Sequence, residues 1–199
     1  MARRRLPRVR LPRLRGPAGI VVALLVVAVA VLTQRHAATG LPTNGVVSRV
    51  VDGDTLAVQA GGAELKVRLI GVDTPEVHPS EKLENDARRT HQDVQTITAL
   101  GRRASEFTRS LCQGKSCRLE YDPANTARGS RDRYGRLLAF VWVPGDGDRE
   151  VMANGEIIRQ GFGRAMTEFA FDAGRQAEFR RLEREARDAG RGLWGEWKP

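Results

Sequence analysis

The sequence is poor in cysteine and histidine, with two of the first and three of the second in 199 residues. Cys112 and Cys117 are the only cysteines, and no histidine lies near them in sequence. A structural zinc site needs four such ligands in a tetrahedral set, so this pair does not predict one. The short spacing, at a predicted helix-to-strand turn, favours a disulfide between them. Two free, partly buried thiols are the alternative.

The predicted folded part also lacks net charge, although the whole chain carries +9. Eight arginines lie before residue 36, and the 25 basic residues that remain face 24 acidic ones, so residues 36–199 carry only +1. The sequence pI of about 10.6 is therefore mostly a property of the N-terminus. Overall charge gives no argument for binding a polyanion, and any such site must be a local patch.

The sequence has no hydrophobic run longer than about 17 residues. Residues 1–16 form a basic tail predicted to be cytoplasmic, and residues 17–33 contain an apolar stretch of about 15–17 residues, short for a bilayer core of roughly 30 Å. This pattern favours a single-pass membrane anchor, with a cleaved signal peptide as the alternative and 28–30 (AVA) as its cleavage site. Either segment sends the following residues out of the cytoplasm, where a disulfide is permissible. The protein is thus expected at the cell membrane with an extracytoplasmic domain, or secreted after cleavage.

Residues 34–44 are predicted to form a linker and residues 45–197 one domain, rich in short strand patterns. The predicted strands are 46–51, 55–59, 65–70, 117–121 and 137–143, and the predicted helices are 99–111, 151–160 and 173–189. Residues 76–98 are weakly patterned and predict a long loop with some helix. This order argues against a doubly wound parallel sheet. It predicts an α+β, mainly β fold: a five-stranded barrel of the OB type with about three helices, preceded by an N-terminal hydrophobic helix.

Two acidic clusters follow strand patterns, about twenty residues apart. Asp54 comes one residue after a glycine turn, and Asp73 and Thr74 follow the third strand. In a meander both loops open at the same end of the barrel, so the two carboxylates and the Thr74 carbonyl could share one Ca²⁺. Glu76, aimed by the preceding proline, could hold or deprotonate an attacking water.

Two arginines complete the candidate constellation. Arg68 lies late in the third strand, and Arg136 follows a Tyr-Gly turn. Two guanidiniums can neutralise a phosphate bidentately without losing a proton. Each piece alone also fits ordinary chemistry: a turn, a helix start, or an exposed strand residue. Their joint order and spacing is much more specific.

With these motifs the chain resembles the staphylococcal nuclease (thermonuclease) family over about residues 46–195. The matching stretches are VDGDT at 51–55, VRLIGVDTPE at 67–76, GRRA at 101–104 with FT at 107–108, DRYGR at 132–136, IRQG at 158–161 and GLW at 192–194.

The resemblance implies an OB-fold barrel with three helices and a Ca²⁺-dependent endonuclease that cuts DNA and RNA to products ending in 3′-phosphate. By the same resemblance, Asp54 and Asp73 match the family's calcium carboxylates and Thr74 its calcium-binding carbonyl. The implied catalytic side chains are Arg68, Glu76 and Arg136, and the implied contacts to a nucleotide's terminal phosphate are Arg133 and Tyr134. The expected partners are the nucleic-acid substrate and, through the N-terminus, the membrane, with a monomeric catalytic domain.

Some stretches depart from the family pattern. Residues 163–169 lack the tyrosines that line the family's nucleotide pocket, and Phe169 or Phe171 either stacks on a base or belongs to the core. Residues 77–98 are longer than the family's loop and contain His78 and His91, which are expected to be solvated. The charges of the last helix predict a salt-bridged, solvated face. The alternative function is an OB-fold module that binds single-stranded nucleic acid or protein without cutting it.

Overall fold

The computed structural model describes residues 40–167 and 170–196, with the side chains of Arg89 and Arg128 left out. The chain divides into two compact units, residues 1–40 and 41–199, and nearly all of the described part belongs to the second. The basic tail, the hydrophobic segment and most of the predicted linker lie outside the described residues. Within the described ranges, no helix combines the length and the apolar character needed to cross a membrane.

Eight strands and four helices make up the described part of the chain. The strands are β1 (Asn44–Asp52), β2 (Thr55–Ala60), β3 (Ala63–Leu69), β4 (Val72–Asp73), β5 (Ser116–Glu120), β6 (Leu137–Pro144), β7 (Glu150–Met152) and β8 (Arg164–Ala165). The helices are α1 (Glu81–Thr90), α2 (Val94–Cys112), α3 (Ala153–Arg159) and α4 (Ala173–Asp188), and a 3-10 helix covers Pro123–Arg128.

Five of the strands close into a barrel. The first three form the predicted antiparallel meander, β1 also pairs antiparallel with β5, and β5 pairs antiparallel with β6. The barrel closes through a parallel pairing of β3 with β6, in which Val67 lies opposite Leu137 and Leu69 opposite Ala139. The prediction of a five-stranded barrel with the OB-fold arrangement of strands is confirmed.

The core fills the barrel and extends beneath α3 and α4. Strand β6 is buried on nearly all its residues, because one face lines the barrel and α3 covers part of the other. The fully buried Asn154 of α3 ties the helix to the barrel: its side chain accepts a hydrogen bond from Val141 N (2.9 Å) and donates one to Ile70 O (2.9 Å). Phe171 packs against Phe140 and Phe179 (ring centroids 6.0 and 5.9 Å apart), so it belongs to the core and not to a base-stacking surface.

The segment predicted as a long loop is mostly helical, and four helices replace the expected three. Helix α1 starts at a Ser80 cap, whose hydroxyl accepts a hydrogen bond from Leu83 N (3.1 Å), and α2 starts five residues earlier than predicted, capped by Asp93. His91 ends α1 in the left-handed conformation (φ 53°). Polar side chains dominate α1, with Leu83 its one buried large apolar residue, so hydrophobic periodicity gave little signal.

Two other features differ from prediction. Residues 151–152, predicted as the start of a helix, belong to β7, which pairs with β6 in a hairpin, and α3 begins only at Ala153. Cys112 and Cys117 are both buried free thiols, so the predicted disulfide is not formed in this structure. Burial raises the pKa of Cys112 to about 12 and that of Cys117 to about 11.

Candidate active site

The turn between β1 and β2 is packed tightly against the loop after β4. A Cβ atom added at Gly53 would lie 2.7 Å from Thr74 Oγ1, so only glycine permits this approach. The Thr108 hydroxyl of α2 donates a hydrogen bond to the Gly53 carbonyl (2.8 Å). Asp54, the next residue, is thereby held in a buried position.

The two predicted calcium carboxylates are brought together around Arg68. One terminal nitrogen of Arg68, Nη2, lies 2.9 Å from Asp54 Oδ2 and 3.9 Å from Asp73 Oδ1. Thr74 N donates to the same Asp54 oxygen (3.2 Å), which links the two acidic loops directly. The other nitrogen of Arg68 donates to Leu69 O (3.0 Å), so the guanidinium is fixed by its own strand.

Two further cations contact this cluster. Arg164 of β8 holds Asp73 Oδ2 through its Nε atom (2.8 Å). Lys82 of α1 donates to the Thr74 carbonyl (2.8 Å) and lies 3.2 Å from Asp73 Oδ1. Asp54 and Asp73 therefore face three positively charged side chains.

Electrostatics separates the pKa values of two neighbouring carboxyls. Burial alone would raise the pKa of Asp54, but the charges of Arg68 and then Lys82 outweigh it and lower that pKa. Asp52, one turn residue away, has its pKa raised to about 7 by burial and then by the Asp54 charge. Asp54 is therefore ionised at neutral pH, while Asp52 is ionised in only part of the molecules.

The oxygen atoms of this cluster fit a hard divalent cation. Asp73 Oδ1 is buried and accepts no hydrogen bond from the described residues, although it lies beside the Lys82 ammonium. Two carboxylates and one backbone carbonyl are the oxygen donors that Ca²⁺ prefers, with waters completing its shell. The described ranges contain no group of three or more His, Cys, Asp and Glu side chains around one point. The groups of this cluster that could hold such a cation are the carboxylates of Asp54 and Asp73 and the carbonyl of Thr74.

Glu76 is positioned by a close contact with helix α2. A Cβ atom added at Gly101 would lie 2.6 Å from the Pro75 carbonyl oxygen and 2.8 Å from that of Glu76, so glycine lets this loop rest on the helix. The Glu76 carboxylate is half-buried and accepts a hydrogen bond from Val77 N (3.1 Å). Its other oxygen remains for a water or substrate proton.

Arg136 is connected to the acidic cluster through one hydroxyl. Its Nε atom lies 2.7 Å from Asp132 Oδ2, which fixes the guanidinium, and its Nη1 atom donates to Thr55 Oγ1 (3.3 Å). The Thr55 hydroxyl donates in turn to Asp54 Oδ1 (3.1 Å). The second predicted phosphate arginine thus belongs to the same network as the first.

Arg133 and Tyr134 lie at the outer edge of this network. Tyr134 is 68% exposed, and its ring centroid lies 4.7 Å from the guanidinium carbon of Arg133 and 5.4 Å from that of Arg136. An exposed tyrosine flanked by two guanidiniums can meet a phosphate or a base. His78 and His91 are exposed, as expected, and Phe169 lies outside the described residues.

Sequence reasoning missed five residues of the network: Asp52, Thr55, Lys82, Asp132 and Arg164. Asp52, Thr55 and Asp132 belong to the motifs at 51–55 and 132–136 but were assigned no role. Their closeness in sequence to Asp54 and Arg136 could have predicted that they contact these residues. Arg164 and Lys82 gave no local signal, because both reach the cluster through tertiary packing of β8 and α1.

Comparison with known proteins identifies relatives of this chain. A family model described as staphylococcal nuclease homologue matches residues 66–196. The chain is 38% identical over 119 residues to a thermonuclease of Staphylococcus intermedius, covering 60% of this chain and 57% of the thermonuclease. It is 30% identical over 156 residues to an uncharacterized endonuclease of Escherichia coli O157:H7, covering 78% and 80%, and 28% identical over 151 residues to endonuclease YncB of Bacillus subtilis, covering 76% and 61%. The chain therefore belongs to the staphylococcal nuclease homologue family.

Proposed function

We propose that this protein is a calcium-dependent endonuclease that hydrolyses phosphodiester bonds in DNA and RNA and leaves 3′-phosphate ends. The observation that carries the proposal is the shared network of Arg68, Arg136 and the two acidic loops, with Glu76 on the loop that follows Asp73. The names of the matched thermonuclease and endonucleases support hydrolysis of nucleic acid as the reaction class.

Glu76 acts as the general base in this proposal. Its carboxylate takes a proton from a water molecule, whose oxygen attacks phosphorus, and the bond from phosphorus to the 5′ oxygen breaks. The 5′ oxygen leaves as a hydroxyl after taking a proton from solvent, and the phosphate stays on the 3′ side. Glu76 suits this role because one of its oxygens is held by the backbone while the residue keeps access to solvent.

The two arginines stabilise the charge that develops on the phosphoryl oxygens. Both guanidiniums are fixed before substrate arrives, Arg68 by Leu69 O and Arg136 by Asp132, so little reorganisation is needed in the transition state. Calcium, when bound by Asp54, Asp73 and the Thr74 carbonyl, supplies a Lewis acid that polarises the phosphate. Arg133 and Tyr134 contact the substrate's neighbouring phosphate.

The N-terminal residues are proposed to carry the domain out of the cytoplasm and to tether it to the membrane as a monomer. The basic tail and the apolar stretch that follows it support this orientation. Intact-mass measurement of the protein from a membrane fraction distinguishes a retained anchor from a cleaved signal peptide. Recovery of the full-length chain in the cytosolic fraction would contradict export.

A digestion assay tests the enzymatic proposal. Plasmid DNA, single-stranded DNA and RNA are incubated with the purified protein in Ca²⁺ and then in EGTA, and the product ends are mapped. We expect cleavage in Ca²⁺ only, with 3′-phosphate ends. The alternative of a non-catalytic OB-fold module predicts nucleic-acid binding without cleavage at every calcium concentration, in protein that is folded by circular dichroism.

A further inference from the structure

The ammonium group of Lys82 stands where the proposed calcium ligands converge. Its Nζ atom lies 2.8 Å from the Thr74 carbonyl oxygen and 3.2 Å from Asp73 Oδ1, two of the three proposed ligand atoms. A monovalent cation carried by the chain itself is therefore seated at the proposed metal position.

The position is built for a cation in other respects too. Asp73 is 1% exposed, and its Oδ1 atom accepts no hydrogen bond from the described residues, so only ion pairs compensate its burial. A buried carboxylate oxygen without a hydrogen bond is costly, and the ammonium at 3.2 Å places a positive charge beside this oxygen when no metal is bound. Lys82 thus stabilises the metal-free cluster.

Lys82 and calcium cannot share this position. With Arg68 and Arg164 beside Asp54 and Asp73, Lys82 already brings three positive charges to two carboxylates. A divalent ion at the same ligands would meet the Lys82 ammonium at only a few ångströms, and repulsion at that distance in a partly buried site is large.

The helix that carries Lys82 also offers it a second partner. Asp86 lies one helical turn further along α1, with its Oδ2 atom 3.8 Å from the ammonium. The Lys82 side chain is 37% exposed and has four methylene groups, so its ammonium can move toward Asp86 while the helix stays in place.

We propose that Lys82 is an internal competitor of calcium: its ammonium occupies the metal position in the metal-free protein, and calcium binds only by displacing it toward Asp86. This inference rests on the proposed calcium dependence. In this proposal, Lys82 of α1 raises the calcium concentration needed to fill the site. It also stabilises the site when no calcium is bound.

The test compares four proteins: the parent chain, Lys82→Gln, Lys82→Arg and the control Lys66→Gln. Lys66 is an exposed lysine on β3, so its substitution removes the same charge away from the cluster. Calcium affinity is measured by calorimetry without substrate, and the Tm is measured in EGTA. We expect Lys82→Gln to bind calcium about tenfold more tightly or better, because one repulsive charge is gone, and to melt several degrees lower in EGTA. Lys82→Arg, which keeps the charge, should bind calcium as weakly as the parent.

The outcomes separate this inference from the proposal beneath it. Equal calcium affinity in Lys82→Gln and Lys66→Gln would overturn the competitor role and leave calcium dependence standing. A tighter Lys82→Arg would also overturn it, since charge would not be the cause, and this variant keeps the test decisive if the glutamine variant does not fold. If none of the folded proteins binds calcium, the calcium proposal itself fails, and the inference with it.

Discussion

At the scale of single residues, Glu76 is the side chain that takes a proton from water in the proposed mechanism. We expect Glu76→Gln, which keeps the size of the side chain but removes its basicity, to lower kcat by about 10²–10⁴-fold. Binding of a non-hydrolysable oligonucleotide should change little. The measurement is kcat in calcium together with Kd from fluorescence anisotropy.

The matched control for this variant is Glu81→Gln. Glu81 is an exposed glutamate in the first turn of α1, five residues further on. Its substitution should leave kcat within a factor of two. Equal turnover of the Glu76 variant and the parent protein would refute the proposed role of Glu76 as the general base.

Many residues of the site could be predicted from the sequence, because the motif residues lie next to turns whose geometry is set locally. Asp54, Asp73 and Arg68 were predicted to lie in one site, and in the structure Arg68 lies within 4 Å of both carboxylates. Lys82 and Arg164 could not be predicted, since their contacts depend on where α1 and β8 dock. The assigned roles of these residues stay predictions until variants are measured.

Among the elements, helix α2 organises the site although it supplies none of the proposed catalytic groups. Its Thr108 hydroxyl holds the Gly53 carbonyl beside Asp54, and its Gly101 lets the Pro75–Glu76 backbone rest against it. The two loops that bring the carboxylates together are thus positioned by one helix.

Substituting Gly101 tests this role of α2. Alanine in a helix is normally favoured over glycine by about 1 kcal/mol. At Gly101, however, its Cβ atom would collide with two carbonyl oxygens at 2.6 and 2.8 Å. We expect Gly101→Ala to lower kcat at least tenfold by displacing Glu76 and to destabilise the fold by about 1–3 kcal/mol. Steady-state kinetics and urea unfolding measure the two effects.

Gly155 in α3 provides the matched control for Gly101. A Cβ atom there would meet Leu182 Cδ1 at 3.6 Å and Phe179 Cε1 at 3.7 Å, which are ordinary contacts. Gly155→Ala should therefore keep full activity and equal or greater stability. If both alanine variants behave alike, the close contact at Gly101 does not position Glu76.

The junction between α2 and β5 carries the two cysteines and gives an independent prediction. Burial raises both thiol pKa values, to about 12 for Cys112 and about 11 for Cys117, so little reactive thiolate exists at pH 8. We expect a thiol reagent to label neither cysteine of the reduced native protein over minutes. The urea-unfolded protein should take up two equivalents of the same reagent. Rapid labelling of the native protein by a thiol reagent would contradict the buried position of these residues.

Element prediction succeeded where periodicity was strong and failed where caps and docking decide. The meander and β6 were found from alternation and apolar runs, within one or two residues of their ends. Helix α1 was not predicted from hydrophobic periodicity. Its stability comes from the Ser80 cap and from contact with α2, and neither leaves a periodic apolar pattern in the sequence. Residues 151–152 of strand β7 were predicted as helix, because a strand of three residues is too short to show a period.

At the scale of the whole molecule, the near-neutral charge of residues 36–199 predicts a shallow salt dependence. If Arg68, Arg133 and Arg136 supply the phosphate contacts, about three phosphates are neutralised, and log(kcat/KM) on single-stranded DNA should fall against log[NaCl] with a slope of about −2. A form spanning residues 40–199 at fixed calcium is the sample, since the arginine-rich tail would add contacts of its own.

Arg133→Gln refines this measurement. Removing one phosphate contact should reduce the magnitude of the slope by about 0.7, whereas Arg180→Gln on the exposed surface of α4 should leave it unchanged. A slope steeper than about −5 in the parent domain would show that many more than three phosphates are neutralised, and thus that a larger basic surface binds the substrate.

The parallel pairing that closes the barrel has a consequence for the moment at which the proposed nuclease site becomes active. Arg68 lies on β3 and Arg136 directly precedes β6, so the two come together only when strands about seventy residues apart in the chain meet. Contacts of such long range form late in folding. A chain that is still unfolded, as it is on the proposed route across the membrane, has no assembled phosphate site. The order of folding would then protect the nucleic acids of the cell that makes the protein, without a dedicated inhibitor.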